Sequence, residues 1–138
     1  MSTNAAMINS HPNRDTRLDP QKLAAAIDAT TACAQTCTAC AEACLAEDTV
    51  TELRDCIRTD LVCADICTAT AGVLTRHIGA GNDSLDVLKV QLSACIIACG
   101  TCAQDCESHA EHHEHCRICA QACRECEKAC SDLLDSLS

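Results

Sequence analysis

The sequence contains no Phe, Tyr or Trp. Aromatic rings normally supply the bulkiest contacts of a protein interior, so other side chains must fill this one. The large apolar residues that remain are 12 Leu, 8 Ile, 5 Val and 2 Met in 138 residues, enough for one domain with a single core. Positive charge is scarce too: 10 Lys and Arg face 20 Asp and Glu, for a net charge of -10. A surface of that sign repels phosphate backbones, which argues against nucleic acid as a partner. No apolar run approaches the roughly 18 residues that a bilayer span needs, so no membrane is expected. The first 19 residues lack an apolar h-region, a twin-arginine start and a cleavage site. Export is therefore not expected, and a cytoplasmic location is. Neither a phosphate-cradling glycine loop nor a nucleophile–base–oxyanion set is found, so catalysis has no footing.

What is abundant is cysteine, with 16 residues. In a reducing compartment that number points to metal before disulfides. Free Cys also behaves as a small hydrophobe, so thiols are candidates for the missing core. Residues 1–18 read as a flexible tail, and residues 19–138 as the folded domain. Asp19 and Pro20 form a good helix start, as N-cap and first helical residue, and the helix runs to about Glu47. Thr49-Val50-Thr51-Glu52 fits a capping box for a second helix, ending near Ile78 before Gly79 and Gly81. Asp83 or Ser84 caps a third helix reaching about His109, and a fourth spans about His115 to Leu137. Short connections make sequential helices antiparallel. The expected fold is all-α, an up-down-up-down four-helix bundle.

The cysteines fall on these helices as Cys33, Cys37, Cys40 and Cys44; Cys56, Cys63 and Cys67; Cys95, Cys99, Cys102 and Cys106; and Cys116, Cys119, Cys123, Cys126 and Cys130. All 12 successive spacings within the four groups are 3, 4 or 7, the rhythm of one buried helix face. The stripes continue into Leu23 and Ile27, into Leu74, into Leu85, Leu88 and Leu92, and into Leu133, Leu134 and Leu137. In an antiparallel bundle those stretches meet at one end as an apolar plug. The opposite end gathers Cys44, Cys56, Cys106 and Cys116 with His109, His113 and His115, and reads as a mouth.

Soft thiolates select Cu(I), Zn(II) or iron–sulfur clusters. The ferredoxin run of closely spaced Cys followed by Pro is missing. Four unbroken stripes do not divide into closed tetrahedral zinc sites. Charge decides the matter. Exchanging each thiol proton for one Cu(I) leaves the core neutral, whereas four thiolates around Zn(II) leave two negative charges per site. About one Cu(I) per thiol, on the order of 16 ions, is the neutral solution, with each sulfur bridging two ions.

The run Cys33-x3-Cys37-x2-Cys40-x3-Cys44 and its partner from Cys116 to Cys130 resemble the bacterial copper storage proteins, cytosolic branch, over residues 20–138. The resemblance implies a preformed bundle that stores many Cu(I) ions, each held mainly by two cysteine sulfurs. It also implies metal entry at the polar mouth and a homo-oligomer, specifically a tetramer; the partners expected of such a store are a cytosolic cuprous donor (a chaperone or small thiol) and a further copy of the chain. Asp60 stands where the second stripe skips a Cys, and His109 sits three residues past Cys106. Both are candidate non-sulfur ligands, and His113 joins them if the third helix persists that far. His112 and His115 read as solvated; His11, His77, Met1 and Met7 carry no further signal. Competing readings are a small-residue core with incidental thiols, a disulfide-stapled bundle, a dithiol redox buffer, and a zinc–thiolate sequestration protein.

Overall fold

The computed structural model describes residues 1–14 and 17–137. Five α-helices, and no strand, occur among the described residues: α1 (Thr3–Ser10), α2 (Pro20–Leu45), α3 (Arg54–Arg76), α4 (Asp86–Glu107) and α5 (Glu114–Asp135). Helices α2 to α5 form the bundle. Sulfur pairs fix its topology. Moving up α2, Cys33 lies next to Cys123 and Cys63, while Cys40 lies next to Cys116. Across α3 and α4 the pairs are Cys56–Cys106, Cys63–Cys99 and Cys67–Cys95. Cys44 of α2 lies near Cys56 of α3, and Cys95 and Cys102 of α4 near Cys130 and Cys119 of α5, so every neighbouring pair runs in opposite directions, and α2 closes the ring against both α3 and α5.

The sequence explains most of the boundaries. The Asp19 carboxylate accepts hydrogen bonds from the Gln21 and Lys22 amides at 2.8 and 3.2 Å, with Pro20 at the first helical position. Such a cap stabilises a helix start by about 1 kcal/mol. The capping box expected at Thr49–Glu52 does not form. Val50–Leu53 is a single 3-10 turn with no side-chain cap, and α3 begins only at Arg54. The N-cap of α4 is Leu85, with no side-chain cap, and neither Asp83 nor Ser84 holds that position; the Ser84 hydroxyl, just before it, only accepts from the Asp86 amide at 3.3 Å. Helix α4 stops at Glu107, and a turn over residues 108–113 leads into α5.

The segment expected as a tail carries structure. Ser2 caps α1 by accepting from the Ala5 amide at 3.1 Å, and α1 packs on α2. Ile8, at 7% exposure, and Leu18, at 2%, are buried. Beyond α1, Asn13 donates to the Gly79 carbonyl at 2.9 Å and Arg17 to that of Asp83. The His11 ring packs on Gly79 so closely that a Cβ there would sit 2.4 Å from it and would displace the imidazole. Ile8 and Leu18 are the apolar anchors of a segment that is otherwise mostly polar and interrupted by Pro12.

One end of the interior is hydrocarbon, as the stripes required. Leu23, Leu74, Leu88, Leu92 and Leu133 are at most 1% exposed. Each contributes roughly 1.5–3 kcal/mol by leaving water. Between this plug and the sulfur lie Thr30 and Thr70, both fully buried. Thr30 donates to the Ala26 and Ile27 carbonyls; Thr70 donates to Ile66 and accepts from the Gln91 amide at 2.9 Å. Helix α4 differs from expectation in one respect. By length and composition it is apolar enough to cross a membrane, because its Cys and Ile count as apolar. Its inner face, however, is a wall of the bundle core.

Candidate metal centre

Because spacings of 3 and 4 keep a side chain on one helix face, the four cysteine stripes all turn inward. All 16 cysteines are free, and none is more than 2% exposed. Neighbouring sulfurs stand 3.6–4.0 Å apart, as in Cys37–Cys123, Cys56–Cys106 and Cys67–Cys99. These are S–H···S contacts, far longer than the roughly 2.05 Å of a disulfide.

The sulfurs form overlapping quartets whose ligand atoms lie within 4.8 Å of one another. Cys33, Cys63, Cys67 and Cys99 form one; Cys33, Cys37, Cys63 and Cys123 another; Cys37, Cys102, Cys119 and Cys123 a third. Cys67, Cys95, Cys99 and Cys126 extend the series toward the plug, and Cys40, Cys44, Cys56 and Cys116 stand at the mouth. Four of these quartets share members, with Cys33, Cys37, Cys63, Cys67, Cys99 and Cys123 each in at least two, and the mouth quartet meets them through Cys56–Cys106 at 3.6 Å and the contacts of Cys106 and Cys102 with Asp60. Isolated four-ligand sites would not share sulfurs. A lattice does.

The thiols also share protons. At the closed end Cys130 is held above the ordinary thiol range by its contacts with Cys126 and Cys95 and by burial. Burial disfavours an unpaired thiolate, so the metal-free core is held as neutral thiols.

Among the described residues Asp60 is the one fully buried carboxylate, with 0% exposure. Its Oδ1 accepts from the thiols of Cys102, Cys119 and Cys106 at 3.1, 3.3 and 3.5 Å. Oδ2 is buried without a hydrogen-bond partner. Burial, reinforced by the Cys119 and Cys102 sulfurs, pushes its carboxyl up to about 12. Asp60 is thus a neutral acid with an orphaned oxygen among sulfurs. Such an atom is expensive to leave unpaired, and it is free to take a cation.

At the mouth the sequence reading needs one change. His115, taken as solvated, is partly buried over the outermost sulfurs, its Nδ1 3.5 Å from Cys40, 3.6 Å from Cys116 and 4.0 Å from Cys44. Its Nε2 meets Glu47 at 3.0 Å. Burial pulls the imidazole pKa down, but Cys40 and Glu47 outweigh it and raise it. Glu47 is correspondingly lowered, first by His115, and Cys44 is raised to about 11 by burial. The sequence placed His115 at the mouth but as a solvated residue, because it falls one residue before Cys116, off the stripe; in the first turn of α5 its ring still reaches back across to α2. Glu47 gave no signal in sequence.

His113 is not on an extended third helix. It precedes α5 and contacts Glu47 at 2.6 Å, with its ring stacked on His115 at 5.4 Å. His109 is half-buried in the turn after α4, and His112 is exposed. Asp60 joins the sulfurs directly, and His113 joins the mouth through Glu47. For His109 the described contacts are backbone hydrogen bonds.

A closed helical bundle lined by a continuous lattice of neutral thiols, with a hydrocarbon base and an imidazole-bearing mouth, defines a container for many thiophilic ions. Sequence comparison gives the class its name. The chain belongs to the copper storage protein family, Csp, whose profile matches residues 19–135; the role is storage and not catalysis. Among solved structures, the copper storage protein Ccsp from Streptomyces lividans, loaded with 10 copper equivalents, is 46% identical. It covers 97% of this chain and 99% of its own, with a TM-score of 0.92. A second structure, of the cytosolic copper storage protein from the same organism with five coppers, is 51% identical, covering 83% of this chain and 93% of its own at a TM-score of 0.79. A cysteine-rich protein of Bacillus subtilis (strain 168), YhjQ, described as uncharacterized, is 32% identical over 109 residues, 79% of this chain and 93% of its own.

Proposed function

We propose that this protein stores Cu(I) in the cytoplasm at about one ion per thiol, on the order of 16 ions when full. The observation that carries the reading is the sharing of sulfurs between successive buried quartets. Shared sulfurs let each thiolate bridge two ions and each ion take two sulfurs, so the filled core is neutral from mouth to plug. In each step a Cys S–H bond breaks, an S–Cu bond forms, and one proton leaves to solvent. All 16 cysteines serve as ligands. Asp60 supplies an oxygen ligand where the second stripe lacks a sulfur, and His115 receives ions over Cys40, Cys44, Cys56 and Cys116. His113 and Glu47 hold that imidazole in place, and His109 is a ligand at the rim. A cytosolic cuprous donor, a chaperone or small thiol, delivers the metal. The chain self-associates, as a tetramer by its resemblance to the family.

Proton counting tests the stoichiometry. Under argon, additions of Cu(I) to the reduced protein in weak buffer should release about one proton per ion until loading ends. Two protons per ion, or release that stops after about four ions, would replace the bridged lattice with isolated sites.

A further inference from the structure

The mouth is built in two layers of different chemistry. The outer layer holds nitrogen and oxygen: Glu47 Oε2 meets His113 Nδ1 at 2.6 Å and His115 Nε2 at 3.0 Å. Solvent reaches all three, with 33% of the Glu47 side chain exposed, 15% of His113 and 25% of His115. Beneath them Cys40, Cys44 and Cys116 stand 3.5–4.0 Å from His115 Nδ1 and are at most 2% exposed. An incoming ion therefore meets imidazole and carboxylate before it meets a thiol. Nitrogen and oxygen sets suit Cu(II), whereas soft sulfur selects Cu(I). Next to this layer is a pair of thiols placed to give up electrons. Cys56, a member of the mouth quartet, stands 3.6 Å from Cys106. The two lie in the first turn of α3 and the last turn of α4, whereas Cys37–Cys123 and Cys67–Cys99, at the same separation, lie in helix interiors. Helix α3 starts without a side-chain cap, and α4 gives way to the turn over residues 108–113. Terminal turns open more readily than helix interiors. Bringing 3.6 Å to the roughly 2.05 Å of a disulfide asks for about 1.5 Å of movement there.

We propose that the mouth also takes up Cu(II) and reduces it: His113, Glu47 and His115 hold the cupric ion, and Cys56 with Cys106 supplies the electrons. Two Cu(II) ions each accept one electron. The S–H bonds of Cys56 and Cys106 break, one S–S bond forms between them, and two protons leave to solvent. The two Cu(I) ions then displace protons from thiols deeper in the lattice. The passage from nitrogen and oxygen to soft sulfur favours the cuprous state and drives the step. The reaction is stoichiometric, because each pair of ions consumes one pair of sulfurs. It also stays at the mouth. The thiol neighbours below are held in helix interiors, or stand four residues apart on one helix, as Cys33–Cys37 and Cys63–Cys67 do, and neither placement suits an unstrained bridge. The inference rests on the storage reading only for the fate of the Cu(I) it makes.

Mixing the reduced protein under argon with two equivalents of Cu(II) sulfate tests it. Electron paramagnetic resonance follows the cupric signal, and mass spectrometry after alkylation and trypsin reads the cysteine pairing. The signal should vanish and leave one disulfide per chain, between Cys56 and Cys106. Total copper after a following Cu(I) titration should stand two ions below that of untreated protein. Glu47→Gln should slow the loss of the cupric signal roughly tenfold. It should not change the rate at which diamide, an oxidant that needs no metal site, links Cys56 to Cys106. Cys106→Ser should slow the cupric loss as well and form no single defined disulfide. A persistent signal in the wild type, disulfides spread over several pairs, or equal rates in wild type and Glu47→Gln would overturn the proposal. Storage is read separately: protein never exposed to Cu(II) should fill with Cu(I) whichever of these results is found, and its failure to fill would defeat the storage reading instead.

Discussion

Replacing Asp60 by Asn should flatten the pH dependence of stability of the metal-free protein. In the folded chain the carboxyl is held neutral, pushed up to about 12 by burial among the sulfurs. In the unfolded chain it ionises near its ordinary value of about 4. Above that pH the unfolded state has lost a proton that the folded state keeps, so stability falls as pH rises. One such proton is worth about 1.4 kcal/mol per pH unit, or about 2 kcal/mol between roughly pH 5 and 6.5. Contributions that the two proteins share cancel in the comparison with Asp60→Asn, so the difference across that window reports Asp60. The lowered Glu47, Glu107 and Glu114 lose their contribution only as pH falls through the carboxylate range. His115, raised, starts to lose its contribution only as pH climbs past the ordinary imidazole value. Urea unfolding under argon, followed by far-UV circular dichroism, gives the stability at each pH. The wild type should lose about 2 kcal/mol across the window relative to Asp60→Asn. Parallel pH profiles for the two proteins would show that Asp60 is ionised in the empty core and would refute the reasoning.

The plug and the sulfur should prove separable. Leu88→Ala, at a fully buried plug position, should cost about 3 kcal/mol of apo stability in urea unfolding with no change in copper capacity by titration. Thr70 stands three residues beyond Cys67 on the inner face and is fully buried. Thr70→Cys should lengthen the lattice and raise capacity by about one Cu(I), while Thr70→Val should leave it at the wild-type number.

The bundle and its sulfur core were legible in sequence because one physical pattern specifies both. Spacings of 3 and 4 that put Cys33, Cys37, Cys40 and Cys44 on one face also demand a helix with that face inward. Asp60 was legible for the same reason, since it occupies a stripe position between Cys56 and Cys63. What escaped depends on contacts across the chain. His115 reaches Cys40 and Cys44 from another helix, and Glu47 matters only because two imidazoles fold onto it. Helix α1 is short and polar on balance; its docking rests on Ile8, Leu18 and the close approach of His11 to Gly79. The unformed capping box at Thr49 shows local propensity yielding to a 3-10 turn that brings Leu53 into the core.

The central claim is that all 16 thiols act as one Cu(I) lattice. Anaerobic titration of the reduced protein with Cu(I), with free thiols counted in parallel, measures it directly. Capacity should rise to about one ion per cysteine as thiols disappear in step. Saturation near four ions with most thiols still reactive, or thiol loss without copper uptake, would contradict it.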